Sequence, residues 1–452
     1  GEQIAIWHSE LNNTEKKHVW WGVKTGQIRI VVGSRSACFM PWQKLALICM
    51  DEEQEDSYKQ DRTPRYHTRT IGQWMSKEHN CPFVLGSATP SLETYQAAIS
   101  ERIQLHRLTK RVKGHQPEIE IVDLREETKK GNFGIFSEDL LSALETTLNA
   151  GKQSILFLNR RGFAHSLQCL ECGHTETCSR CDSTLTIHKP KTRHHYLQCH
   201  TCSSYYPIKP ACPSCGGLKL KEIGLGTQQI VSELQKLLPQ ARILRADRDT
   251  TSKKHSFSEI YHNFKAGAAD ILIGTQMIAK GLHLPNVELV GVVLADTGLH
   301  IPDFRAQERV FQQLVQVAGR AGRSSNNSRV IIQTLSPENI VLQSLDHNNI
   351  DEFYSRELLI RQEHKFPPFI KLTKFTYVDR NADKCLKEAK RVEQILSSAD
   401  YTVLGAPALI FKQFNQFHYN ILLFHNQPET VIKQLNLNPA WRIDRDAVTT
   451  AF

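Results

Sequence analysis

Short apolar runs separated by polar stretches of helical length recur along most of the chain. "IRIVVG" and "LALICMD" are continuously apolar and rich in β-branched residues, the pattern of parallel strands buried on both faces. "FVLGSATPS" repeats the plan as a strand followed by a turn of small residues. A basic, proline-containing connection, "LTKRVKGHQPEIEIVDL", leads to a second strand–helix series that begins with "SILFLNRRG" and resumes with "ARILRAD", "ADILIGT", "LVGVVLAD" and "RVIIQTL". The pattern predicts two parallel α/β layers, the second interrupted by a cysteine-rich insert. From about Ser336 the character changes. "DEFYSRELLIRQEHKFPPFIKLTKFTYV" reads as a helix, a Pro-Pro break and a strand, opening a small α+β region. The boundaries that follow are 1–108, 109–336 with an insert at 166–217, and 337–452.

Composition narrows the class. The 452 residues, 40% of them hydrophobic and 23% charged, describe an ordinary globular chain with room for about three domains. No segment approaches the roughly 18 uninterrupted apolar residues of a membrane span, and none reads as an export signal. A membrane-bound or secreted class is therefore not expected. A formal charge of +9 with twenty histidines favours a polyanionic partner. The sequence opens on "GEQIAIWHSELNN", inside what reads as a working element, so a longer N-terminus is expected.

The twelve cysteines change the picture more. Eight form four C-x-x-C pairs, Cys169/Cys172, Cys178/Cys181, Cys199/Cys202 and Cys212/Cys215, while Cys38, Cys49, Cys81 and Cys385 lie scattered among apolar neighbours. Without an export signal such pairs mean metal rather than disulfides. Four thiolates hold a tetrahedral zinc at about 2.3 Å, so four knuckles make two closed structural sites. Three pairings of the knuckles are possible. An iron–sulfur cluster is the competing cofactor, and the ribbon-like, His- and Lys-containing stretch favours zinc. His165, His174 and His200 read as lying outside both ligand sets, because eight thiolates already fill them.

Four further motifs follow one another in order. "ICMDEEQEDSYKQ" puts Asp51 and Glu52 directly after a strand, where α/β folds bind their ligands and a magnesium-holding acid belongs. "GSATPS" (Gly86 to Ser91), "GTQMIAKG" (Gly274 to Gly281) and "QVAGRAGR" (Gln316 to Arg323) come after it. An isolated D-E-E is usually a solvated acidic turn, but four such motifs across two α/β layers point to a nucleotide-driven motor. Arg320 and Arg323 carry the spacing with which motors press guanidinium groups against a triphosphate. Their usual companion, G-x-x-x-x-G-K-[ST], occurs nowhere in the sequence, and "AGKQS" (Ala150 to Ser154) lacks the leading glycine and the hydroxyl. Between the first two motifs, "DSYKQDRTPRYHTRT" interleaves Tyr58, Lys59, Arg62, Arg65, Tyr66 and Arg69. Rings that stack on bases beside cations that follow the backbone suit single-stranded nucleic acid.

These segments, together with "WHSELNNTEK", "VVGSRSACFMPWQKLALICMDEEQEDSYKQ", "VLGSATPSLET", "ILFLNRRGFA", "PNVELVGVVLAD" and the eight cysteines, resemble the primosomal replication-restart helicases (the primosomal protein N′ family) of superfamily 2. The resemblance runs over nearly the whole chain. It implies two RecA-like parallel-sheet lobes, the first incomplete and lacking its phosphate loop. It also implies a double zinc-binding insert in the second lobe and a small α+β C-terminal domain. The implied activity is an ATP-dependent 3′-to-5′ DNA helicase, hydrolysing ATP with Mg²⁺, that recognises stalled or branched forks and starts primosome assembly. Asp51 and Glu52 would hold magnesium and activate water, and Arg320 and Arg323 would neutralise the γ-phosphate. Gln316, Gly319, Ser87, Thr89 and Gln54 would contact nucleotide or couple it to movement. Tyr58, Lys59, Arg65, Tyr66, Arg69, Thr275, Gln276 and Lys280 would meet DNA, as would Lys412, Phe414 and Tyr419 in the C-terminal region. The family's order nests the zinc sites, with Cys169, Cys172, Cys212 and Cys215 outside and Cys178, Cys181, Cys199 and Cys202 within. A cytoplasmic, nucleoid-associated protein with primosome and single-strand-binding partners is implied. Gln54 stands where the family usually has histidine, and "KGLHLP" replaces K-G-H-D-F-P, both at positions associated with coupling. The alternative is a non-catalytic DNA-binding adaptor that loads replication proteins through its zinc module. An in-frame phosphate loop upstream would favour the motor.

Overall fold

The computed structural model describes residues 3–108, 117–158, 166–179, 184–188, 195–199, 204–223, 226–247, 250, 256–278, 284–299, 301, 303–321, 328–346, 349–399, 401–413 and 415–450. For Ser166, Glu222, Ile223, Ser256 and 406–413 the description covers the backbone only. The chain divides into two compact units, Gly1–Ile103 with His364–Gly405 and Phe414–Val448, and Gln104–Glu363 with Ala406–Gln413 and Thr449–Phe452.

In the first unit the predicted parallel strands form, as two separate pairs. Ile4–Trp7 pairs with Ile30–Gly33, and Ile48–Met50 with Phe83–Leu85. Their burial differs from the prediction. Strand side chains alternate between faces. Ala5, Trp7 and Val31 pack with Val19 and Val23 of the Asn13–Lys24 helix. Ile6 and Val32, on the opposite face, are 64% and 59% exposed. A two-stranded sheet with a helix on one side leaves the other side open, so a run apolar at every position is half-buried here. The same unit holds three antiparallel strands in the order Gln416–Phe424, Leu372–Asp379, Trp441–Asp444. The helix Ala382–Ser398 buries Cys385, Ala389, Val392 and Leu396 in a common core with Phe375, Ile421 and Trp441. This is the expected small α+β element.

The second unit is built on a six-stranded parallel sheet ordered Ile243–Ala246, Ile271–Gly274, Gln153–Phe157, Val287–Val292, Arg329–Thr334, Glu118–Asp123. The apolar runs of the second strand–helix series are buried on both faces here. Ile155, Leu156, Ile271, Ile273, Val290 and Ile331 are all enclosed. The cysteine-rich stretch forms a five-stranded antiparallel sheet inserted after Gln153–Phe157. Its small core contains Leu167, Leu185, Ile187 and Leu197. The helix Ile350–Glu363, which the sequence puts at the start of the C-terminal region, belongs to the second unit. The reason is packing: Phe353 stacks on Phe311 with ring centroids 4.2 Å apart.

Candidate functional site

The acidic turn grows directly from the Ile48–Met50 strand. Met50 lies in register with Leu85, and Gly86 N–H donates to Met50 O at 2.8 Å while Glu53 N–H donates to Gly86 O at 3.1 Å. The two motif turns are thus stitched together at their roots. Asp51 is exposed, and its Oδ1 accepts from Glu52 N–H at 3.0 Å. Glu52 occupies the left-handed region at φ 47°, a conformation that costs a non-glycine residue free energy and often accompanies functional turns. Its Oε2 accepts from Gln54 Nε2 at 2.7 Å, and Gln54 Oε1 accepts from Ser87 Oγ at 2.6 Å. Ser87 Oγ in turn accepts from Thr89 N–H at 2.9 Å. Four residues predicted for nucleotide and coupling roles therefore form one hydrogen-bonded chain, with Gln54 as its middle link.

Sequence reasoning missed the third acid. Glu53 is 1% exposed and accepts from Ser91 N–H at 2.6 Å, Arg69 Nη1 at 2.6 Å and Thr94 Oγ1 at 3.0 Å. Ser91 also caps the Leu92–Ile99 helix through Thr94 N–H. This cluster anchors the "GSATPS" turn behind the exposed acids. The signal in the sequence was its place directly after the two motif acids.

The aromatic and cationic segment does not present all its cations to solvent. Lys59 is 3% exposed and donates to Asp444 Oδ1 at 2.6 Å and to Asp446 O at 2.7 Å. Arg69, ion-paired with Glu53, also bonds Ser91 Oγ and Thr94 Oγ1. Both were expected on DNA, and both are committed to ion pairs within the fold. Tyr58 donates to Asp51 O at 2.7 Å, and burial followed by the nearby Asp51 carboxylate raises its pKa, keeping it a donor. Tyr66 packs edge-to-face on Phe39 at 5.1 Å. Arg62 is exposed, and Arg65 and Tyr66 are half-buried. These three, with the exposed Phe39, form the outward part of the segment.

In the second unit Thr275 and Gln276 follow the end of Ile271–Gly274, at the carboxyl edge of the sheet. Gln276 Nε2 is buried without a hydrogen-bond partner among the described residues. The Ala306–Ala318 helix carries the half-buried Gln316 and ends on Gly319. Arg320, 7% exposed, lies one residue past the cap, where its N–H bonds Val317 O at 3.0 Å. It therefore leaves the tight turn after the helix rather than continuing the helical face of Gln316. A further acid at a strand end was not singled out from the sequence. Asp296 is fully buried beyond Val287–Val292, with Oδ2 accepting from Leu335 N–H at 3.0 Å and Oδ1 lacking a hydrogen-bond partner among the described residues. Lys280 and Arg323 lie outside the described residues, as does Phe414, and the side chain of Lys412 is not described. Tyr419 faces the core beside Trp441 and Val392, and burial, then Glu393, pushes its phenol up to about 12. It is a packing residue and not an exposed contact.

Four cysteines converge. The sulfurs of Cys169, Cys172, Cys212 and Cys215 all lie within 4.8 Å of one another. Cys169 to Cys215 and Cys172 to Cys212 are each 3.7 Å apart. A tetrahedron of sulfurs about 2.3 Å from a central zinc has edges of about 3.8 Å, so the donor set and its spacing fit zinc. Each knuckle is closed by a backbone bond, Gly173 N–H to Cys169 O and Gly216 N–H to Cys212 O, both 2.9 Å. Both glycines have positive φ, 77° and 73°, which favours glycine. A Cβ on Gly173 would collide with the Leu335 carbonyl. Within the cluster, burial raises the Cys169 and Cys172 thiols, whereas at Cys212 burial is outweighed by the N–H groups of Cys215 and Ser214 together with the Cys172 and Cys215 sulfurs, and the net shift is downward. Of the second quartet, Cys178 and Cys199 are buried in the insert's core, whereas Cys181 and Cys202 lie outside the described residues.

Residues 224–325 match the model of the helicase conserved C-terminal domain. The replication restart protein PriA of Bacillus subtilis (strain 168) is 41% identical over 443 residues, covering 96% of this chain and 54% of that protein. PriA of Treponema pallidum (strain Nichols) is 40% identical over 430 residues, 94% of this chain and 64% of that protein. PriA of Rickettsia prowazekii (strain Madrid E) is 36% identical over 438 residues, 96% of this chain and 67% of that protein. The chain thus spans from about half to two thirds of the length of these relatives. Among the described residues no helix is long and apolar enough to cross a membrane.

Proposed function

Because the chain belongs to the family of replication restart protein PriA, we propose that it supplies the motor and zinc-binding parts of an ATP-dependent DNA helicase. The motor moves 3′ to 5′ on single strands, recognises stalled or branched forks, and starts primosome assembly with primosome and single-strand-binding proteins as partners. The observation that carries this reading is the chain of bonds from Glu52 through Gln54 to Ser87 and Thr89. It ties an acid suited to orienting water to a turn suited to sensing lobe movement. Asp51 would hold the magnesium that accompanies ATP, and Glu52 would orient the attacking water. Arg320 and Arg323 would neutralise charge on the γ-phosphate, a contribution of about 10³–10⁵ in rate for an arginine finger. Gln316 and Gly319 would face the nucleotide. Arg65, Tyr66, Thr275, Gln276 and Lys280 would follow the DNA strand.

Two zinc ions complete the proposal, one on Cys169, Cys172, Cys212 and Cys215 and one on Cys178, Cys181, Cys199 and Cys202. Zinc bound by four thiolates leaves no open position, so its contribution is structural and to partner binding. The test is DNA-stimulated ATP turnover by the full-length gene product. Glu52→Gln is expected to lower turnover at least about 100-fold while DNA affinity stays within twofold. Unchanged turnover would remove the assignment of the water-orienting acid.

A further inference from the structure

The Ala306–Ala318 helix delivers Gln316, Gly319 and Arg320 at one end and is held by buried charge at the other. Glu308, in its first turn, is 1% exposed, and its Oε2 accepts from Arg361 Nη2 at 2.7 Å. Arg361, equally buried, donates from Nε to Glu357 Oε1 at 3.0 Å and from Nη2 to Phe304 O at 3.3 Å. Its guanidinium also lies 4.9 Å from the Phe304 ring centroid. One turn further along, Phe311 stacks on Phe353 and meets Tyr354 edge-on at 5.9 Å. Glu357 and Arg361 both come from the Ile350–Glu363 helix. The contact between the two helices is therefore an ion triad followed by a layer of rings.

Stability alone is a poor account of the triad. Apolar residues of similar volume commonly hold a fold as well as a buried ion cluster does, whereas a planar guanidinium bonded to two carboxylates from different helices fixes their relative orientation. The lever is long. From Glu308 to Ala318 is ten residues, about 15 Å at helical rise, so a tilt of about 4° moves the arginine end by about 1 Å. Misplacement on that scale can lower a rate by about 100-fold.

We propose that Arg361 is a positioning residue of the motor, setting through Glu308 the tilt of the Ala306–Ala318 helix and so the placement of Gln316 and Arg320. This rests on the hydrolytic reading above, and three measurements on the full-length protein separate the two. DNA-stimulated turnover is compared for the parent, Arg361→Met, Arg361→Lys, and a triple variant Glu308→Leu, Glu357→Leu, Arg361→Met. Melting and backbone hydrogen exchange across Gln316 to Arg320 are followed alongside. The triple variant is expected to melt close to the parent and to lose kcat by about 10- to 100-fold with KM within about twofold. Exchange at the arginine end should rise. Arg361→Lys keeps the charge without the fork and should fold and lose kcat as well, which decides the matter should the other variants fail to fold. Parent-like kcat in a stably folded triple variant or in Arg361→Lys, or unchanged exchange, overturns the proposal. A parent without DNA-stimulated turnover would remove the hydrolytic reading, leaving exchange and melting to judge the joint.

Discussion

Arg69 and Lys59 are cations whose charge is used inside the fold. Removing Arg69 would strand Glu53, buried and unpaired, so Arg69→Ala should destabilise the first unit by about 3–5 kcal/mol. Urea denaturation checks this. A variant of unchanged stability with weakened single-strand affinity would return Arg69 to the DNA contacts. Interleaved rings and cations in a sequence do not reveal direction, and here direction depends on partners far along the chain, such as Asp444 for Lys59. Asp51 and Glu52 were legible because their position depends only on the strand before them. Glu357 provides a second test at this scale. Burial pushes its carboxyl up to about 7, against the lowering influence of Arg361 and with Glu308 raising it further. An unfolded glutamate titrates near ~4.3, so the folded unit holds an extra proton between that value and 7, and stability falls as pH rises through this window. Melting of the second unit is expected to drop between about pH 4 and about pH 7. Glu357→Gln, which keeps the acceptor for Arg361 without the ionisation, should flatten that slope. An equally steep slope in the variant would place the titration elsewhere.

Among the elements, the knuckles were the most legible, since C-x-x-C spacing and the glycine after the second cysteine of the outer pairs are local. What locality could not supply was the pairing, and the convergence of Cys169, Cys172, Cys212 and Cys215 in the fold agrees with the nested order for the outer set. The apolar runs of the first unit mark the opposite limit. "IRIVVG" identifies a strand from its own residues, but whether both faces are covered is decided by neighbouring strands, and Val32 is left facing outward. The insert has only a small apolar core, so metal should be required for its fold. Chelation should release hydrogen-exchange protection from Leu167 to Lys221 while the six-stranded sheet keeps its own. Metal analysis should find two zinc ions per chain, falling by about one in Cys178→Ser. One ion per chain in the parent, or absorbance from iron and sulfide, would contradict the pair of zinc sites.

At the scale of the whole molecule, the parallel second unit and the small antiparallel sheet were readable from periodicity. The attachment of the Ile350–Glu363 helix to the second unit was not. It depends on Arg361 meeting Glu308 across more than fifty positions, and no local pattern encodes that pairing. The 452 residues contain no G-x-x-x-x-G-K-[ST] segment, so this stretch alone is expected to hydrolyse no measurable ATP with or without DNA. Turnover by it that Asp51→Ala abolishes would show that the phosphates are held by other residues. The most direct measurement of the central claim is strand separation by the full-length gene product on two forked duplexes, one with a 3′ and one with a 5′ single-stranded tail. ATP-dependent unwinding of the 3′-tailed duplex alone, lost in Arg320→Ala, is the expected result. Unwinding that prefers the 5′ tail, or none on either substrate, would contradict the account.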